Sequence, residues 1–402
     1  MFDPQSIQTL FYALVSAFLV GAVGSLVFMK NDQLANWWAH VWAAIGSVLG
    51  ILLGANILAS GQTFYFVSES TFKFFSRVVH IDSLSALFVT LVSVIALFAS
   101  IYGIGYMDKF YKKYNLGFFG FFYNVFLASL ILVVTSYNAF YFLVVWELMS
   151  LSSYFLVVFE RGKEENVQAG FIYFAMTHIG TAFILAAFLL LHAHTGSYDF
   201  AVFKEMAPTL SLAIRNIVFV CALIGFGIKA GIIPLHVWLP KAHPAAPSHV
   251  SALMSGVMIK TGIFMLIRLF VDLIPGAPWW WGFVILLLGA ISSLLGVLYA
   301  LSEHDIKRLL AYHSVENIGI IMLGLGSGLM FLSLGLKTLA VLGFIAALYH
   351  TINHAVFKSL LFLGAGSVVY QTHTRNIEEY GGLKKKMPWT ALFFLIGAVA
   401  IS

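Results

Sequence analysis

The chain has 402 residues, of which 61% are hydrophobic and only 10% charged, with a mean hydropathy of +0.94. So little polar surface cannot clothe a water-soluble core, so the composition excludes soluble classes and reads as an all-α polytopic membrane protein. The net charge of +5 then bears on topology rather than on nucleic acid, and the single cysteine, Cys221, excludes a disulfide framework and a cysteine-held iron–sulfur cluster.

Apolar runs of about 20 residues predict spans near 8–28, 36–59, 82–106, 117–135, 138–158, 167–192, 213–239, 247–271, 279–301, 308–329 and 337–368. A twelfth begins at Pro388 and is cut off at Ser402, so a C-terminal part is expected to be missing. The first run has no basic flank or small-residue cleavage site and reads as a span, not a signal. The stretch 63–82 is too polar to span and rich in aromatics, and is expected to lie at the membrane interface. SYDFAVFKEM, before the seventh span, reads the same way, and GSGLMFLSLG (326–335) is expected to be a loop. An N-terminus outside the cytoplasm places the basic clusters at Lys109–Lys113, Arg161–Lys163, Lys307–Arg308 and Lys384–Lys386 on the cytoplasmic side.

Charges at membrane depth are costly, roughly 2.5–3.5 kcal/mol for a lysine at a helix centre on insertion scales. Among the 17 acidic residues only Glu147 is expected in the middle of a span. It needs a proton or a cationic partner, and Lys229 is the expected one; a packing bond to Ser150 or Ser152 is the alternative. Lys229 and Lys260 lie in apolar sequence on either side of a Pro-rich stretch. Pro234 is expected to break the seventh helix, and a broken helix beside a charge is a pattern of ion and proton transporters. Snorkelling to the interface is the competing reading of both lysines.

His350, His354 and Lys358 recur at a helical spacing that puts them on one face. Stacked titratable groups suit a proton relay; an H-x3-H metal pair, with no further ligand near in sequence, or hydrogen-bonded packing are the alternatives. His178 either extends a path toward Lys229 or is a satisfied core histidine, while His192 and His194 at a span end read as interfacial. His236, His243 and His249 flank the break and suggest a cytoplasmic-side proton path. The stretch SEHDIKRLLAYHSVENIG adds His313 and Glu316 to that path, with Glu303 and Asp305 placed to cap the tenth span. No phosphate-cradling glycine loop and no nucleophile–histidine–acid order appears. The expectation is a non-catalytic subunit with no cofactor and no bound metal.

Four stretches, VVWELMSLSSYFL, GFGIKAGIIPLHVWLPKAHPAAPSHVSALMSGVMIKTG, DIKRLLAYHSVENIG and NHAVFKSLLFLGAGS, resemble the antiporter-like proton-translocating subunits of complex I, Mrp antiporters and membrane-bound hydrogenases. The similarity runs from about residue 80 to the end. It implies two inverted five-helix repeats, each with a discontinuous helix, over 107–272 and, incompletely, 273–402. These follow N-terminal spans and an interfacial segment (1–80) and a third span (81–106). It also implies proton handling by Glu147, Lys229, Lys260 and Lys358.

HSVENIG and KKKMPWTALFFLIGA are more similar to the large membrane subunit of formate hydrogenlyase or hydrogenase-4. The implied function is proton translocation coupled to redox chemistry in partner subunits. Those partners are other membrane subunits and a cytoplasmic hydrogenase arm, in the inner-membrane bilayer. A subunit of NADH–quinone oxidoreductase or of an Mrp-type cation/proton antiporter is the alternative within the family. A membrane redox enzyme holding haem through some of the 13 histidines is the alternative outside it.

Overall fold

A computed structural model of the chain describes residues 3–68 and 77–401. The helices are α1 (Pro4–Val27), α2 (Asp32–Ser60), α3 (Ser83–Tyr106), α4 (Leu116–Thr135), α5 (Ala139–Val157), α6 (Glu164–Thr195), α7 (Phe200–Met206), α8 (Leu212–Ala230), α9 (Leu239–Ala245), α10 (Ser248–Leu253), α11 (Ile259–Ile267), α12 (Trp279–Leu301), α13 (Ile306–Ser333), α14 (Lys337–Thr372), α15 (Leu383–Lys386) and α16 (Pro388–Ile401). A π-helical turn at Met254–Met258 joins α10 to α11, and a second at Arg268–Leu273 ends the same continuous span. Among the described residues eleven helical segments are long and apolar enough to cross a membrane, and the chain is a multi-pass all-α membrane protein.

Helices start where the sequence supplies a cap. Asp3, Asn31, Asp82, Asn115, Asn138, Ser211 and Asp305 each turn a side-chain oxygen onto an amide that the first turn leaves without a partner. Asp305 therefore caps α13, bonding the amides of Lys307 and Arg308.

Two expectations need correction, and the stretch 63–82 gains a form that the sequence did not assign. The stretch after α2 forms an antiparallel hairpin, β1 (Phe64–Ser68) with β2 (Arg77–Ile81), in which Tyr65 faces His80. Its aromatics alternate in and out, Phe64 buried and Tyr65 half-exposed, as a strand requires. Residues 69–76 of that stretch lie outside the described residues. GSGLMFLSLG is not a loop: α13 continues through it to Ser333. In a bilayer no water satisfies an unwound backbone, so glycines there serve packing instead of turning. A Cβ on Gly326 would lie 2.5 Å from the Leu286 amide of α12. Finally, α8 ends at Ala230, so Pro234 lies in the loop beyond the helix and not within it.

The chain divides into two compact units: one of residues 1–170, 198–200 and 245–257, the other of residues 171–197, 201–244 and 258–402. In the first, α2 packs on α1 and α3, α4 on α1 and α5, and α10 on α3. In the second, α12, α13 and α14 form a consecutive row, α8 packs on α11, and α14 on α16. The α8–α11 contact depends on Gly262, whose Cβ would meet the Phe226 carbonyl at 2.6 Å. Two backbones approach that closely only without a side chain between them. Gly262→Val is expected to cost about 1–3 kcal/mol through overpacking and to lower the thermal unfolding midpoint of the purified protein. An unchanged midpoint would mean that the two helices separate at no cost.

Candidate functional site

Lys229 sits in the last turn of α8 and is 1% exposed. The helix stops there because Gly231 adopts φ +80°, and its N–H returns to the carbonyls of Gly227 and Ile228. That left-handed geometry is one that only glycine holds cheaply. The Trp238 indole donates to the Ile228 carbonyl at 2.7 Å, and the Ile233 amide donates to the Ser292 hydroxyl at 2.9 Å. The break is thus satisfied by protein, as membrane depth demands. The carboxyl end of a helix carries partial negative charge, which favours a cation at Lys229. Its ammonium donates to the Tyr173 hydroxyl of α6 at 3.3 Å and lies 5.5 Å from that ring's centre. Tyr173 in turn reaches the Met258 sulfur at 3.6 Å.

Lys260 follows the π-helical turn Met254–Met258 and is fully buried. The span carrying it is buried along its whole most apolar window, and its ammonium lies away from the surface. On α14, Lys358 and His354 are also fully buried, and His350 is partly so. The His350 and His354 rings are 6.3 Å apart and nearly parallel.

The neighbouring helix α13 organises this face. Lys358 Nζ donates to the Leu310 carbonyl at 3.3 Å. Asn317 Nδ2 donates to the His313 carbonyl at 2.7 Å, which fixes the orientation of its amide. Asn317 Oδ1 therefore accepts from His350 Nε2 at 2.9 Å, so that nitrogen carries hydrogen and Nδ1 is left as the acceptor of the neutral ring. One helical turn away, His313 Nδ1 pairs with Glu316 Oε2.

These groups are close enough to sense one another's charge. His354 interacts electrostatically with Lys260, Lys358, His350 and His313, and Lys260 with Lys358. Glu316 acts on Lys358 and His350. His243 joins the group through Lys307, Lys260 and Lys358, and packs on Phe362. A proton added to one raises the cost of a proton on the next, because the interaction of two charges grows as the local dielectric falls. Charge placed at one end of such a row is felt along it.

A family model described as NADH:quinone oxidoreductase/Mrp antiporter, TM, matches residues 136–402, which hold every group just described. The chain belongs to this family. A second model, for the N-terminus of chain 5 of NADH-ubiquinone oxidoreductase (complex I), matches residues 74–115. The chain is 45% identical to hydrogenase-4 component B of Escherichia coli over 99% of its own length and 59% of that protein. It is 36% identical to formate hydrogenlyase subunit 3 of the same organism, over 96% of its length and 61% of that protein. It therefore spans about three fifths of the length of these relatives.

The same fold occurs in a chain of the Mrp complex from Dietzia sp. DQ12-45-1b, with TM-score 0.83 and 22% identity over 98% of this chain and 71% of that one. It occurs again in an archaeal membrane-bound sulfane sulfur reductase, with TM-score 0.85 and 20% identity over 97% and 77%.

Within this family member, then, one unit gathers Lys260, His350, His354, Lys358, His243, His313 and Glu316, with Lys229 on α8. Glu147 lies half-buried on α5 in the other unit, next to the buried Trp146. The Ser152 hydroxyl is committed to the Leu148 carbonyl at 2.6 Å, so it is not the glutamate's donor. His249 is in Glu147's unit, within an aromatic cluster of His40, Tyr106, Phe119 and Tyr123. His236 stacks on Tyr299, and His178 Nδ1 bonds the Phe174 carbonyl of its own helix at 2.9 Å. His194 meets the Thr209 hydroxyl at 2.9 Å.

Sequence reasoning missed three participants and set a fourth, Glu316, at the opening of its span. Glu316, already among the proton-path candidates, lies well inside α13 with its side chain only 14% exposed. Lys307 reads as half of a cytoplasmic basic pair but is 4% exposed and acts on His243. Tyr173 and Asn317 carry no charge, and nothing in a linear sequence marks a neutral residue as the neighbour of a lysine or histidine from another helix.

Proposed function

We propose that this chain is a proton-translocating, antiporter-like membrane subunit of an energy-converting hydrogenase or formate hydrogenlyase-type complex. The observation that carries the reading is the buried row Lys260–His354–Lys358, with His350, His313 and Glu316 in electrostatic reach. Buried lysines in such number cost far more than packing recovers unless they exchange protons. The 45% identity to hydrogenase-4 component B over nearly the whole chain favours a hydrogenase complex.

In this reading Lys260 and Lys358 hold protons in turn, and His350 and His354 pass them between the two. Lys229 at the broken helix and Glu147 form the charge pair whose state gates loading. His178, His236, His243, His249, His313 and Glu316 supply the approaches, and 107–272 and 273–402 act as two inverted repeats. The N-terminus faces away from the cytoplasm, and a cytoplasmic redox arm on neighbouring inner-membrane subunits supplies the energy. The chain itself moves protons, binds no redox cofactor and makes or breaks no other bond.

The test compares the complex with and without this subunit in sealed vesicles. Donor-driven hydrogen evolution is expected to persist without it, while the accompanying proton gradient disappears. Loss of hydrogen evolution from a catalytic module that is intact and metal-loaded would place catalysis in this chain and defeat the reading.

A further inference from the structure

A cleft of about 790 Å³ opens between the start of α4 and the end of α5, wholly within one unit. Its wall is aromatic: Phe122 and Phe155 stack face to face at 4.2 Å, and Phe118 and Phe155 remain 52% and 44% exposed. Its mouth is cationic, formed by Lys112, Lys113 and Arg161, all exposed. Among the described residues none of these three side chains is in an ion pair.

The local charge is unbalanced. α4 has no acidic residue in its first turn, where the helix dipole already places positive potential. Glu160, beside Arg161 in sequence, is held by Lys163 at 2.5 Å. Asp32 accepts the backbone N–H of Lys112 at 2.7 Å and pairs with none of the three cationic side chains. Lys112 itself is held at φ +62°, a conformation few side chains adopt.

We propose that this cleft binds an anionic phospholipid, its phosphate on Lys112, Lys113 and Arg161 and an acyl chain along Phe118, Phe122 and Phe155. Cations at a span end stand at headgroup level and draw anionic lipid to the surface, and guanidinium grips phosphate through two parallel bonds. The phenyl wall continues from that mouth along α4 and α5, spanning helices whose outer faces meet hydrocarbon. A free anion would gain nothing from the wall, and a zwitterionic lipid would leave the cations uncompensated. The choice between lipid and an acidic, apolar segment of a neighbouring subunit falls to lipid, because both helices stand in a medium where it is the bulk component.

The test uses membranes holding the assembled complex and a photoactivatable phosphatidylglycerol, with labelled peptides mapped by mass spectrometry. Label is expected on the peptides carrying Phe118 and Phe155, displaced by unlabelled phosphatidylglycerol but not by phosphatidylcholine or inorganic phosphate. The triple variant Lys112→Asn, Lys113→Gln, Arg161→Gln should weaken that competition about 100-fold, a factor of about five per charge. Asparagine is chosen at 112 because it tolerates positive φ. Should the triple variant fail to assemble, Arg161→Gln alone in its exposed turn should give about a fivefold loss. Unchanged competition in the variants, or displacement by inorganic phosphate alone, overturns the proposal. A photocrosslinker at position 118 that captures a neighbouring subunit in place of lipid overturns it as well.

Discussion

Replacing Lys260 by arginine is expected to leave the complex assembled and to drop proton translocation below about a tenth of the parent rate, a barrier rise of at least about 1.4 kcal/mol. Lys260 is fully buried, next to a π-helical turn and within electrostatic reach of Lys358 and His354. A lysine ammonium can shed its proton in such a setting, whereas guanidinium keeps its charge under all ordinary conditions. Arginine is also the bulkier group, so Lys260→Met provides the companion: similar in length, neutral and easily packed. A proton-storing lysine predicts loss in both variants. A lysine that serves only as a fixed positive charge predicts that arginine works and methionine does not. The measurement is redox-driven acidification in vesicles with matched amounts of complex. Normal translocation in the arginine variant would remove Lys260 from the row of storage sites.

The second large effect concerns Glu147 and Lys229. If the two work as one charge pair, removing either leaves the other uncompensated at a cost of roughly 3–5 kcal/mol unless it neutralises. Glu147→Gln and Lys229→Met should then each abolish most translocation, and the double variant should be no worse than either single one. Lys229 retains the Tyr173 hydroxyl and the carboxyl end of α8 in every case involving Glu147 alone. Assembly is therefore expected to survive Glu147→Gln. Losses that simply add would show two independent roles, and full translocation in both single variants would exclude the pair altogether.

Much of the fold was legible because a bilayer imposes few choices. The hydrocarbon thickness sets the run length, so apolar runs located the helices to within a few residues. Among the caps Asp305 was legible, while Asn31, Asn115 and Asn138 emerge as caps from the structure. Lys229, Lys260 and Lys358 were legible for the opposite reason, since a charge in apolar sequence is too costly to be incidental. The glycines misled. In soluble chains GSG signals a turn, but Gly326 and Gly328 face α12 and α14, where a Cβ would strike Leu286 and Phe344. The end of α8 was misattributed to Pro234, the stronger breaker in sequence, although Gly231 with its positive φ terminates the helix first.

By itself, then, the amino-acid order determined that this protein is a bundle of membrane helices, roughly where each begins, and that Lys229, Lys260 and Lys358 stand inside apolar runs. Those properties follow from single residues and their immediate neighbours meeting one solvent. Tertiary structure alone decided which of those residues share an environment. It turned Glu316 and Lys307 inward, set Asn317 between His313 and His350, and placed Tyr173 on Lys229. Each of these joins groups carried on different helices or on different turns of one, and the rotation of a helix about its axis is fixed by what packs against it. An apolar helix that is hydrophobic all round gives no sign of that rotation in its own sequence.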